Sequence, residues 1–297
     1  MSNAMEWLQF VLAPQMINGL SIGVAVVLMA LGLTIIFGLL DVINMAHGEF
    51  YAIGAYLAVA LLATGMSFWW ALFLTPLLMA VLGFVTERGL IQRVFHSKDR
   101  HTLTLLLTFG VAVVLEDALK IAFGANPLRL EAPISGATEM VGLFFPNYRL
   151  FVMLFGGALI AAVWLLVFRT SLGAIVRAAA FDRNMSASLG VPVQLVYAGT
   201  FAFGVALAGI AGVLLAPIYS VFPTMGKDFV LIAFSVVIIG GMGSIKGALL
   251  AGLLLTQVQS ISSLYISPVW SDPLLFGIMV LVLMWRPQGL FGKLGSA

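Results

Sequence analysis

Few side chains in this 297-residue chain could carry acid–base, nucleophilic or metal chemistry. Its three histidines, His47, His96 and His101, are too few and too scattered to ligate a haem in a helical bundle. Cysteine is absent, which excludes disulfides, a thiolate zinc site and an iron–sulfur cluster. The sequence contains no G-x-x-x-x-G-K-[ST], H-E-x-x-H or G-x-S-x-G pattern. Gly241-Met242-Gly243-Ser244-Ile245-Lys246-Gly247 resembles the first of these superficially, but its spacing is wrong for a phosphate-binding loop. No paired Asp or Ser/His within an apolar run suggests an intramembrane protease. The expectation is a chain with no catalytic residue, no metal and no cofactor of its own.

Four polar features remain. The first is Asp41 to Glu49, which separates two apolar runs by nine residues. Asp41 and Asn44 can bond backbone groups freed at helix ends. The cluster reads either as a capped tight turn or, through Asn44, His47 and Glu49, as a gate or subunit contact near the cytoplasmic mouth. The second is Glu116, Asp117 and Lys120 on one helix, with Glu116 and Lys120 in the favourable i,i+4 order. It reads as a paired patch at the outer interface or as a polar lining of a pathway. A charge at mid-membrane costs roughly 2.5–3.5 kcal/mol on insertion scales, so pairing is expected.

The third feature is residues 169–195, a polar stretch too long for a turn. Residues 173–189 read as one amphipathic helix, with Ile175, Ala179 and Leu189 near one face and Arg177 and Asp182 elsewhere. Gly190 and Pro192 supply its stop signal. Such a helix can lie on lipid or dock on a cytoplasmic partner, and its Ala-rich surface and modest charge favour the partner. The fourth is Gly240-Gly241-Met242-Gly243-Ser244, after a short apolar run. It reads as a tight inner turn or as a Gly-interrupted segment of the kind that lines transport pathways.

The elements that must position these features follow from composition. The chain is 62% hydrophobic and 9% charged, with a mean hydropathy of +1.13. A soluble domain is about 25% charged, so a water-soluble enzyme is excluded. A spanning helix needs roughly 20 apolar residues, and the hydrophobic content allows about nine. The charge-poor runs give the same count, with eight or ten possible. Pairs such as Gly19/Gly23, Gly204/Ala208 and Ala248/Gly252 imply close helix packing. Residues 124–149, with three prolines, read as a loop. Residues 1–4 read as a cloning remnant, and residues 5–297 as a single transmembrane domain.

With 87–101 placed inside, alternation through nine spans puts ten Lys/Arg inside and three (Arg129, Arg149 and Lys227) outside. The positive-inside rule then sets the N-terminus outside and the C-terminus inside. Trp7, Trp69, Trp70 and Trp270 fall near the outer interface. The 41–49 loop fits least well, since it carries no basic residue. The net charge of +2 does not suggest nucleic acid as a partner.

Several stretches together resemble the permease subunits of branched-chain amino-acid ABC importers, the H-type subunit of the Leu/Ile/Val system most closely. They are Gly32-Leu-Thr-Ile-Ile-Phe-Gly38, Ile43-Asn44-Met-Ala-His47-Gly48-Glu49, Gly54-Ala-Tyr56, Arg177-Ala178, Gly190-Val-Pro192, Ala208-Gly209-Ile-Ala-Gly212, Val237-Ile-Ile-Gly240-Gly241-Met-Gly243-Ser244 and Arg286-Pro287-Gln-Gly289-Leu-Phe291. They run from about residue 32 to 291. The resemblance implies a pore-forming subunit that works with a sister permease or second copy, cytoplasmic ATP-binding subunits and a soluble substrate-binding protein outside the cell.

The resemblance makes residues 169–195 the ATPase-coupling segment, with Gly173, Arg177, Ala178, Asp182 and Gly190 as its candidates. The E-A-A-x-x-x-G form of many other importers is absent there. Asn44, His47, Glu49, Glu116, Gly240, Gly241 and Gly243 are the candidates for the pathway or its gate. The expectation is an all-α polytopic permease of the bacterial inner membrane that passes an amino acid by alternating access. Rival readings are an ion- or proton-coupled transporter, for which Glu116 and Asp117 are the only candidate acids, and a structural membrane subunit.

Overall fold

A computed structural model describes residues 7–95, 97, 99–140, 143–267 and 270–292. Residues 1–4, His96, Lys98 and Lys293, which entered the readings above, lie outside the described residues.

The chain is built from helices. Helix α1 covers Ala13–Leu40 and is entered through a π turn at Leu8–Leu12. Helix α2 covers His47–Ala63. Helix α3 begins at Phe68–Thr86 and continues through a π turn, Glu87–Ile91, to Val94. Helix α4 is Arg100–Phe123, and α5 is Asn147–Arg169. Two short helices follow, α6 at Ser171–Phe181 and α7 at Arg183–Ser188. The remainder are α8 at Val193–Leu215, α9 at Met225–Gly240, α10 at Ile245–Ser262 and α11 at Ser271–Trp285.

Among the described residues six helices are long and apolar enough to cross a membrane: α1 and α3, each with its π turn, and α4, α5, α8 and α10. Three others occupy expected spans but are shorter. These are α2 with 17 residues, α9 with 16 and α11 with 15. Nine helices therefore coincide with the nine apolar runs, while six meet the length that a full crossing needs.

Two helices form the centre. Helix α1 is flanked by α8, α10, α5 and α9, and α8 is flanked by α1, α3 and α2. Both are buried along most of their length. Backbones meet where the sequence removes side chains. A Cβ on Gly32 would lie 2.5 Å from Gly204 O, and one on Gly54 would lie 2.5 Å from Gly209 Cα. Gly23 faces Thr256 and Gly252 faces Val27, so α1 and α10 run antiparallel. This small-residue packing stands in for the hydrophobic drive that lipid does not provide.

The outer helices expose apolar stripes instead. Phe73, Leu77, Val81 and Val85 recur every fourth residue along α3 and are exposed. Leu106, Phe109, Val113 and Val114 are likewise exposed on α4, at helical rather than regular fourth-residue spacing. Faces of this kind suit lipid.

Three expectations from sequence need correction. Residues 124–149 are not all loop. Ala137–Met140 (β1) pairs antiparallel with Leu143–Pro146 (β2), in the register Ala137 opposite Pro146. Leu128 also bridges to Val221. Residues 173–189 are two helices rather than one. Asp182 is extended and its carboxylate accepts from Met185 N–H at 2.9 Å, so it starts α7 anew. An Asp that can cap outcompetes its own place in a helix interior.

The third correction concerns residues 41–46, which are not a tight turn. His47 Nε2 donates to Met29 O at 3.0 Å. Met29 lies eleven residues before the end of α1, about 16 Å back along its axis at 1.5 Å per residue. The chain therefore leaves α1 at Asp41, runs back beside it and starts α2 midway along α1. That course explains the missing basic residue in 41–49, since most of the segment does not stay at a membrane surface.

Candidate functional site

The return begins at Asp41, held in the left-handed region at φ 53°. Its N–H donates to Phe37 O, closing α1, and its carboxylate meets Arg100 at 3.3 Å. Thr108 on α4 then fixes the climbing strand. Its hydroxyl donates to Ile43 O at 3.3 Å and accepts from Met45 N–H at 3.2 Å. Asn44 Oδ1 accepts from Ala46 N–H at 3.1 Å, which turns the chain into α2. Thr108 was not singled out from sequence, because a threonine within an apolar run gives no sign of which backbone it will serve.

Asn44, His47 and Glu49 are all buried at or just before the start of α2, His47 toward α1 and Glu49 toward α9. A carbonyl can only accept, so the bond to Met29 O places a proton on His47 Nε2. Among the described residues Asn44 Nδ2, His47 Nδ1 and Glu49 Oε2 have no hydrogen-bond partner. Helix α9 closes the junction from the other side. A Cβ on Gly48 would lie 2.0 Å from Gly226 O, and one on Gly226 would lie 2.5 Å from Glu49 Oε1. Neither Gly48 nor Gly226 was singled out from sequence.

Glu116 lies beside this junction. Lys120 Nζ approaches one of its carboxylate oxygens at 2.7 Å and Lys227 Nζ the other at 2.6 Å. Lys120 also reaches Asp117 at 3.2 Å. The i,i+4 pair expected from sequence is present, while the contribution of Lys227, 111 positions away, had no local signal. Glu116 is buried, whereas Asp117 and Lys227 are largely exposed on a face shared by α4 and α9.

The glycine cluster is a separate site. A Cβ on Gly240 would lie 2.4 Å from Gly247 C, so α9 and α10 cross closely there. Gly241 has φ 99° and Gly243 φ 78°, a region that favours glycine. Ser244 Oγ accepts from Gly247 N–H at 3.1 Å and caps α10, which gives this serine a structural use. The tail returns to the same turn: Leu290 N–H donates to Ile239 O at 2.8 Å and Phe291 N–H to Gly240 O at 3.0 Å.

The coupling candidates sit at a further site. Thr170 accepts from Gly173 N–H at 3.1 Å, and a Cβ on Gly173 would lie 2.2 Å from Val167 O. Helix α6 thus folds sharply back on the end of α5. Arg177 donates to Val167 O and covers the Phe168 ring. Ala178 and Asp182 are exposed, and Gly190 ends the segment at φ 85°. Leu172, Phe181, Met185 and Leu189 are exposed apolar side chains on this corner. A cavity of about 380 Å³ lies behind α6, lined by residues including Ile35, Leu166, Ile175, Val196 and Phe203.

Long apolar helices packed through glycine, with exposed apolar stripes on the outer ones, define a multi-pass membrane protein. Residues 15–283 match the family described as the permease component of the branched-chain amino acid transport system, and the chain belongs to that family. It is 30% identical over 294 residues to the high-affinity branched-chain amino acid transport system permease protein LivH of Salmonella typhimurium, covering 94% of this chain and 95% of that protein. It is also 30% identical to BraD of Pseudomonas aeruginosa over 296 residues, with the same coverage. Similarity to LivM of Escherichia coli is 28% over 291 residues, covering 89% of this chain and 67% of LivM. No solved structure matches the chain.

Proposed function

We propose that this chain is the transmembrane permease subunit of an ATP-driven importer and forms the path for branched-chain or related amino acids. The observation that carries the reading is similarity over nearly the whole length of this chain and of relatives named as high-affinity branched-chain amino acid permeases. The bacterial inner membrane is its site of action. Its partners are cytoplasmic ATP-binding subunits, a sister permease and a substrate-binding protein, and it has no ATPase site of its own.

In this reading the chain has nine membrane segments, of which α2 is a half-length one, with the N-terminus outside and the C-terminus inside. The excess of Lys/Arg on one side supports that orientation. An ion pair supports the alternation: Asp41 with Arg100 joins segments placed inside. Residues 169–195 couple ATP binding to the bundle through Gly173, Arg177, Ala178, Asp182 and Gly190. The exposed Leu172, Phe181, Met185 and Leu189 suit burial against a partner. The Asn44–His47–Glu49 junction and Glu116 belong to the pathway, and Gly240, Gly241 and Gly243 to its gate.

An ion-coupled transporter would need a carboxylate free to take up and release its ion. Glu116 is held by two ammonium groups, which weighs against Glu116 in that role. Co-expression with the ATP-binding subunits tests the proposal. The permease should retain them through purification and stimulate their ATP hydrolysis when the binding protein and leucine are added. Replacing Glu116 and Asp117 together with Gln and Asn should leave much of that stimulated activity. A permease that retains no ATP-binding subunit would overturn the reading.

A further inference from the structure

The helices α2 and α9 are both too short for a full crossing, and they begin against one another. The second residue of each is glycine, and Gly48 contacts the Gly226 backbone with no side chain between them. Broken helices whose ends meet inside a bundle are a recurrent way of building a substrate site in transporters. A helix start alone says nothing of a ligand. Here it coincides with a charged side chain that is 2% exposed and carries an unpartnered oxygen, Glu49 Oε2.

The neighbouring charges do not neutralise Glu49. Lys120 and Lys227 each sit within 2.7 Å of Glu116, and Lys120 has Asp117 as well. Among the described residues Glu49 makes no ion pair. Gly226 leaves room for its carboxylate, whose oxygens lie 2.5 and 2.7 Å from where a Cβ would stand. An unpaired carboxylate buried in a membrane bundle is costly, and such residues mark pathways more often than packing. The charge that would satisfy it is a compact cation with several N–H donors, which describes the ammonium of an amino acid.

We propose that Glu49, at the junction of α2 and α9, is the group that receives the substrate's ammonium as the amino acid passes through the permease. This inference rests on the transport reading above.

The chain has no cysteine, so Glu49→Cys gives it a single thiol. The complete importer, with sister permease, ATP-binding subunits and binding protein, is reconstituted in liposomes. Labelling of position 49 by aminoethyl methanethiosulfonate is followed on the peptide by mass spectrometry. The expected result is labelling during ATP turnover that saturating leucine slows at least fivefold. Modification with the sulfonatoethyl reagent, which restores a negative charge, should recover uptake, whereas the positively charged adduct should not.

Labelling indifferent to leucine, no labelling in any state, or equal uptake after either reagent would overturn the proposal. If the cysteine variant is not monodisperse after extraction, Glu49→Asp and Glu49→Gln replace it. The Asp form should keep leucine uptake with a raised apparent KM, and the Gln form should lose at least tenfold. Equal uptake by the two overturns the proposal. Absence of ATP-dependent leucine uptake by the wild-type complex would instead refute the transport reading, so the two failures are separable.

Discussion

His47 and Glu49 stand two residues apart, yet their side chains are used differently. His47 spends one nitrogen on Met29 O and lies against Gly32, so it pins the start of α2 to the middle of α1. Its replacement by Ala should destabilise the purified protein by about 1–3 kcal/mol, as expected for a lost buried hydrogen bond, read as a lower thermal transition. Gly204→Ala should cost a similar ~1–3 kcal/mol, because its Cβ would meet Ile36 at 2.7 Å and Gly32 O at 2.8 Å. Asp41→Asn weakens only exposed contacts, with Arg100 and His101, and should cost no more than ~1 kcal/mol. The residue types at this site were legible in sequence, as was the Glu116–Lys120 pair. The depth of His47 was not, because six residues without periodicity give no sign of where the chain runs after α1.

At the scale of elements, the coupling segment owes its shape to its caps. Thr170 opens α6 and Asp182 opens α7, and each accepts from a backbone N–H three residues on. Asp182→Ala should loosen α7 by about 1 kcal/mol. In the assembled importer it should lower leucine moved per ATP hydrolysed more than it lowers hydrolysis itself. Turnover measured alongside uptake checks this. The glycine turn after α9 makes a parallel case. Gly241→Ala would strain φ 99° and bring a Cβ to 2.4 Å from Gly292 N. The tail should then detach, so that the Leu290 and Phe291 amides, bonded to Ile239 O and Gly240 O, exchange with deuterium faster in the folded protein. The end of the segment at Gly190 and the existence of nearly every helix were visible from composition. The break at Asp182 and the hairpin of β1 and β2 were not. Both depend on local hydrogen bonds that hydropathy does not register.

For the whole molecule, apolar content alone predicts nine crossings. The helices number nine at those positions, but three are short. The two short helices at the polar junction start where Gly48 meets Gly226, so the shortfall in length and the polar site are one feature of the fold. Scarce charge is concentrated at loops, at the corner of α6 and α7, and beside Glu116. The account assigns the energy for transport to ATP-binding partners. The most direct test is leucine uptake by liposomes holding this chain, its sister permease and its ATP-binding subunits, with the binding protein outside. The account predicts uptake that stops without internal ATP and persists when ionophores collapse proton and sodium gradients. Uptake that follows those gradients and ignores ATP, or no uptake of any amino acid or amide, would contradict it.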